Sequence, residues 1–186
     1  VDPRRTEPPA KSISKIISGL DDSVPESLKS ISKPYSAVFE SIVPISRPEV
    51  AEKTKLCENC QRMAMVTYAN EMADACIPHG VDPFEVCSAA PTNPFGYAPF
   101  TPNLGVGGHC IPINPYQLLS NSTSPLLQAA TEKMWQRPAM LALRVRETLS
   151  HRKRKASWVE KPGVLVVSVG FKTASNSEYI PGSRTR

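Results

Sequence analysis

The sequence predicts a mainly α central domain flanked by partial α/β segments, and three observations carry that reading. From Glu49 to Cys76 there is neither glycine nor proline, which allows one unbroken helix of about 30 residues. A second helical stretch runs from Ser124-Pro125 to about Leu149. On either side, the short apolar runs Ser14 to Leu20, Ile42 to Ile45 and Gly163 to Gly170 read as strands.

Residues 1–12 are proline-rich and polar, hence extended. The strand from Ser14 is ended by Gly19 and Asp21-Asp22, a helix is predicted from Pro25 to Phe39, and a strand follows over Ile42 to Ile45. Strand, helix, strand at that spacing fits the end of an α/β sheet and sets a first segment of residues 1–47. Ser46-Arg47-Pro48-Glu49 has capping-box spacing with proline just inside the helix start. At about 100° per residue, Lys55, Asn59, Arg62 and Asn70 fall within an arc of roughly 80°. Met63, Ala64, Val66, Ala69, Met72 and Ala73 cover much of the rest, which predicts a buried helix whose polar stripe faces a site or a polar partner.

Pro78 and Gly80 end that helix, and Asp82-Pro83-Phe84-Glu85 opens a short one. Residues 91–109 read as a long irregular loop, a kind that is either functional or disordered. Helices follow from Asn114 and from Ser124-Pro125, the latter with a break expected near Pro138. The central domain thus covers residues 48–150. In residues 151–186, a basic linker precedes Gly163 to Gly170, which reads as a buried parallel strand opening an α/β segment that the chain does not finish.

Composition narrows the function classes. Of 186 residues, 40% are hydrophobic, compatible with a core, while 19 prolines imply many breaks. The net charge of +5 owes much to Arg144, Arg146 and the run Arg152-Lys153-Arg154-Lys155. Such a run is a solvated linker or helix end, and no aromatic residues alternate with it as a stacking platform requires, so a nucleic-acid partner is not expected. The chain starts at Val1 without an initiator methionine and reads as trimmed. It has no amino-terminal signal pattern, and its longest apolar run is too short to span a bilayer, so a soluble, cytoplasmic protein with no membrane partner is expected. Five cysteines, an odd number, argue against a complete disulfide framework. Cys57-x-x-Cys60 followed by Cys76-x-x-His79 mimics zinc-ligand spacing, but the first pair lies within a helical pattern without a glycine-rich knuckle. They read as small residues on a packed helix, and no metal is assigned.

The chemistry concentrates in Gly105-Val106-Gly107-Gly108-His109-Cys110-Ile111-Pro112. A glycine run this dense suits neither a strand nor a helix interior, and it lets backbone amides approach a ligand that a neighbouring thiol can touch. With Ala51-Glu52, Lys55, Asn59 and Arg62, then Asn70-Glu71, Phe100 through Pro115, and Phe171-Lys172, four ordered blocks are in place. Together they resemble the nucleotide-sugar 6-dehydrogenases, the UDP-glucose/GDP-mannose dehydrogenase family, with Gly-Gly-His-Cys most like the UDP-N-acetylhexosamine branch. The resemblance implies Rossmann-like flanking segments and oxidation of a UDP-sugar's primary alcohol to the uronate by two NAD molecules in turn. In it, Cys110 captures the aldehyde as a thiohemiacetal that becomes a thioester, and Lys55 and Asn59 steady the negative oxygen. It also implies sugar contacts from Arg62, Phe100, Gly105, Gly107, Gly108, His109 and Lys172, and a homodimer built on the long helix.

The departures are specific. Where the family has an aspartate four residues after the cysteine, this chain has Asn114, which cannot accept a proton as a base. Capping of the helix before Pro115 is an equally good reading of that asparagine. The family's motif beyond Lys172 is reduced to Asn176-Ser177-Glu178-Tyr179-Ile180-Pro181, which keeps only the proline. No Gly-x-Gly-x-x-Gly follows a strand, so the NAD site is expected mostly outside these residues. Two readings follow. One is a nucleotide-sugar dehydrogenase whose 186 residues do not turn over alone; the other is a non-catalytic remnant acting as a helical dimerisation module.

Overall fold

The computed structural model describes residues 8–155 and 164. In order, the elements are β1 (Lys15–Ser18), α1 (Ser27–Val38), β2 (Ile42–Ile45), α2 (Pro48–Cys76), α3 (Pro83–Ala89), α4 (Asn114–Leu119) and α5 (Pro125–Lys155). The fold is mainly helical as predicted, with a two-stranded parallel sheet among the described residues. Apart from Val164, the expected strand over 163–170 lies outside those residues. No helix among them is long and apolar enough to cross a membrane. The chain divides into two compact units, residues 1–58 and 59–186, with the division inside α2.

In the first unit, β1 and β2 run parallel with Lys15 opposite Ile42 and Ser18 opposite Ile45. Ile17 is buried between exposed Ile16 and half-buried Ser18, as one side of a strand packed on one face. Gly19 is needed because a Cβ there would collide with the backbone nitrogen of Leu28. The turn into α1 is closed by Asp21, whose Oδ1 accepts from the Ser27 hydroxyl at 2.6 Å and the Leu28 N–H at 3.0 Å. The Ser27 hydroxyl, followed by the Leu28 N–H, holds the Asp21 carboxyl below its ordinary pKa. Glu26, preceding α1, sits at φ 63°, a left-handed conformation unusual for a residue with a Cβ.

The second unit is built on α5 packed against α2. Cys60, Met63, Leu127 and Met134 form its core, with Val66, Val106, Ile111, Leu118 and Leu119 packed against them. Ala69, Ala73 and Ala130 are small and buried, and the Thr67 Oγ1 lies 2.8 Å from the Met63 carbonyl and 3.1 Å from that of Ala130.

Three expectations need correction here. First, α2 is not buried all round: Asn59, Cys60, Met63, Thr67, Ala69, Asn70 and Ala73 are buried, whereas Tyr68 and Met72 are exposed. Its polar stripe divides, with Asn59 and Asn70 inside and Lys55 and Arg62 at the surface. Counting apolar positions could not show which of them a single partner helix covers. Second, α5 continues through Pro138 without a break. The ring forfeits one backbone hydrogen bond, but buried Met134 and Arg137 before it and the Arg144 ion pair after it hold both halves in place. Third, Arg144 is not part of a solvated basic run; its Nη1 lies 2.7 Å from the Asp74 carboxylate.

Candidate active site

The glycine run is tied down at both ends within the second unit. At its entry, the Asn103 backbone N–H donates to Oδ1 of the fully buried Asn70 at 2.8 Å, and the Asn103 carbonyl accepts from Arg137 Nε at 3.0 Å. The Asn103 side chain then turns the chain, its Oδ1 accepting from the Gly105 N–H at 2.9 Å. At its exit, the Cys110 carbonyl accepts the N–H groups of Ile113 and Asn114 at 3.1 and 2.8 Å, the turn that starts α4. Between these ends, Val106 and Ile111 pack on the α2–α5 core. Gly108 has φ 94°, where a side chain would be strained. From Asn103 onward the loop is therefore an anchored structure, and Cys110 at its end is exposed to solvent.

Asn59 and Asn114, the two predicted site residues that meet directly, join α2 to α4. Asn59 Nδ2 donates to Asn114 Oδ1 at 2.6 Å, and Asn114 Nδ2 donates to Gln117 Oε1 at 3.2 Å. This corrects the capping interpretation: Ile113 precedes α4, Asn114 is its first residue, and no side-chain cap forms there. The Asn114 amide holds a neighbouring helix instead. Asn59 is 3% exposed, so its amide geometry is fixed by burial as well as by the bond.

The remaining predicted residues are more dispersed. Lys55 belongs to the first unit, where its exposed ammonium lies 2.8 Å from Glu58. Arg62 and His109 are exposed, while Phe100, Gly105, Gly107 and Gly108 are half-buried. Lys172 lies outside the described residues. Beside the loop, Met63, Val106, Pro112, Tyr116, Thr131, Met134, Trp135 and Pro138 line an apolar cavity of about 50 Å³. That is room for little more than a small apolar group. Among the described residues no three His, Cys, Asp or Glu side chains gather as a metal site would require.

The residues that sequence reasoning missed are Asn103, Asp74 and Arg137. Asp74 accepts from Arg137 Nη1 at 3.0 Å and Arg144 Nη1 at 2.7 Å, with the Arg137 side chain only 7% exposed. Burial pushes the Asp74 carboxyl up, but hydrogen bonds and charge from Arg144 and Arg137 outweigh it and leave the pKa below its ordinary value. The available signal was an asparagine two residues before a glycine, an Asx-turn pattern. Nothing local marks Arg137 as its partner, because 34 positions separate the two.

Comparison with known proteins agrees with this architecture. The UDP-glucose/GDP-mannose dehydrogenase family, central domain, matches residues 49–136. A UDP-N-acetyl-D-mannosamine dehydrogenase of Pyrococcus horikoshii is 35% identical over 109 residues, covering 59% of this chain and 25% of that protein. A UDP-N-acetyl-D-glucosamine 6-dehydrogenase of Pseudomonas aeruginosa is 34% identical over 125 residues, 67% of this chain and 28% of that protein. The solved structure of the UDP-D-ManNAc dehydrogenase from P. horikoshii superposes with a TM-score of 0.69 at 32% identity, covering 76% of this chain and 34% of that one. The chain thus spans about a quarter to a third of the length of these relatives.

Proposed function

Residues 49–136 belong to the central domain of the UDP-glucose/GDP-mannose dehydrogenase family, and from that premise we propose that the chain supplies the thiol and glycine loop of a UDP-sugar 6-dehydrogenase. The substrate class proposed is a UDP-N-acetylhexosamine, whose primary alcohol is oxidised to the carboxylate. The observation that supports the reading is the exposed Cys110 at the end of a glycine loop anchored on buried side chains. Neither anchoring nor exposure is what a merely packed cysteine needs.

The family resemblance implies NAD as the hydride acceptor, but among the described residues the turn from β1 into α1 does not fit it. Leu28's backbone fills the space beside Gly19, and the Asp21 carboxylate occupies the start of α1, where a pyrophosphate would need positive potential. The chain's own part is to hold the sugar carbon on the Cys110 sulfur and to steady its oxygen. An amide NH₂ has two donors, and Asn114 takes one from Asn59, leaving the other for an oxyanion. By the family resemblance Lys55, four residues before Asn59 in the sequence, is the proposed cationic partner. Asn114 fixes Asn59 and takes no proton, so water activation belongs to another group. A homodimer is proposed for the assembled protein.

Alkylation of Cys110 by iodoacetamide in the full chain, read by peptide mass spectrometry against the exposed Cys57, tests the assignment. UDP-N-acetylglucosamine at ten times its Kd should slow Cys110 labelling by about tenfold and leave Cys57 unchanged. Equal labelling with and without the nucleotide sugar would sink the substrate reading. The amide at position 114, where the family has an acid, favours the second reading of a non-catalytic dimerisation module. NADH formation from the UDP-sugar by this chain alone would exclude that reading.

A further inference from the structure

We infer that Arg137 and Asn70 are positioning residues for Cys110, acting together as a two-point clamp on the backbone of Asn103; the inference rests on the dehydrogenase reading above for its function, and on geometry alone for its structure. The clamp takes both polar groups of one peptide residue. Asn70, with no exposed surface, receives the Asn103 N–H on Oδ1, and its Nδ2 lies 3.5 Å from Met134 Sδ. Arg137 donates Nε to the Asn103 carbonyl, while Nη1 of the same planar fork is held 3.0 Å from Asp74. Because a guanidinium is rigid, orienting one edge on Asp74 fixes the other edge on Asn103.

Asn103 is where that fixation matters. It is the last residue before the glycine run held by side chains of both long helices, α2 through Asn70 and α5 through Arg137. Its own side chain relays the constraint to Gly105. From Gly105 onward the backbone has little intrinsic stiffness, since three of the four positions 105–108 are glycine. A glycine loop carries a thiol to a defined place only if its entry is fixed, as its exit is by α4. Arg144 serves as an internal control. Its guanidinium binds the other oxygen of Asp74 and lies 3.8 Å from Met140 Sδ, with no bond to the loop among the described residues.

The experiment is amide hydrogen exchange on the full chain, with Cys110 alkylation measured alongside. In wild type the Asn103 amide should exchange about tenfold or more slowly than that of exposed Leu104, as one retained hydrogen bond implies. Equal exchange overturns the clamp without any variant. Arg137→Lys keeps a charge for Asp74 but cannot present two rigidly spaced donors, and it should speed Asn103 and Gly105 exchange by about tenfold. Arg144→Met should leave both amides within about twofold while weakening the same ion-pair network. Arg137→Lys should also alter the Cys110 alkylation rate relative to Cys57, whereas Arg144→Met should not. If both variants move the loop alike, Arg137 is only a structural ion-pair member and the inference fails. These readouts need no substrate: loss of nucleotide-sugar protection with an intact clamp would refute the dehydrogenase reading alone.

Discussion

Removing Asp74 is the perturbation most informative about the second unit. In Asp74→Ala, Arg137 keeps its guanidinium in a site where only 7% of the side chain is exposed, with Nη1 deprived of an acceptor. Deleting one partner of a buried ion pair costs about 3–5 kcal/mol, and the 21% exposure of the Asp74 side chain puts the expected loss at the lower end, about 3 kcal/mol. Arg137→Met differs in kind. It removes the charge with most of the stem volume retained, leaves Asp74 paired with Arg144, and strips the Asn103 carbonyl of a donor for about 1–3 kcal/mol. The double variant strands no buried charge, since the Arg144 side chain that loses Asp74 is 39% exposed, so it should lose less than the two single losses combined, with a coupling of about 1–3 kcal/mol. Urea unfolding followed by far-ultraviolet circular dichroism measures all four proteins. If Asp74→Ala lost less than about 0.5 kcal/mol, the network would be an ordinary solvated pair, and the argument from burial would be refuted.

The same carboxylate sets a pH dependence. Its folded pKa lies below the ordinary 3.8, so its contribution is fully present above that value and is lost as pH falls through the lowered one. The urea midpoint of wild type should therefore drop below about pH 4, and Asp74→Asn should flatten that part of the profile; an unchanged slope contradicts the assignment. In the first unit, Glu26→Gly should remove a left-handed backbone cost of about 1–2 kcal/mol, partly offset by the greater unfolded-state entropy of glycine. A net gain of up to about 1 kcal/mol is expected in urea unfolding, and a loss would show that the Glu26–Lys29 contact matters more. Asn114→Asp should preserve the fold to within about 1 kcal/mol, because Asn59 Nδ2 then donates to a carboxylate and Gln117 can turn its amide to donate. A loss of more than about 2 kcal/mol would show that the amide is required where it stands.

How far the fold was legible depended on whether its determinants were local. The limits of α2 were readable because proline and glycine act through their own backbones: Pro48 opens the helix and Gly80, at φ 66°, follows its end. The strand–helix–strand spacing was read as the end of an α/β sheet, and the parallel pairing of β1 and β2 fits it, because parallel neighbours need a crossover connection. Pro138 shows the opposite case. Its local preference is to break a helix, yet anchors on both sides, Arg137 and Arg144 sharing Asp74, outweigh it. Local chemistry reported the tendency correctly; the competing contact lies 63 positions away and leaves no trace near the proline.

The site shows the same division. Cys110 and its glycines were visible because a cysteine at the end of a dense glycine run has a compositional signature. The groups that give the loop its course were not, since an arginine on a long helix looks like a solvated charge until an acceptor is buried beside it. Asn59 and Asn114 bridge the two cases. Each was singled out for chemistry it could perform alone, oxyanion donation or failed base catalysis, but the structure joins them at 2.6 Å. That contact changes the meaning of the asparagine after the cysteine: its oxygen is already engaged, and what it supplies to the site is the orientation of Asn59. A carboxylate could accept the same bond and still titrate, whereas an amide can only orient. On the proposed reading, Asn114 keeps the positioning of Asn59 and has no part in proton transfer, two roles that one aspartate would combine.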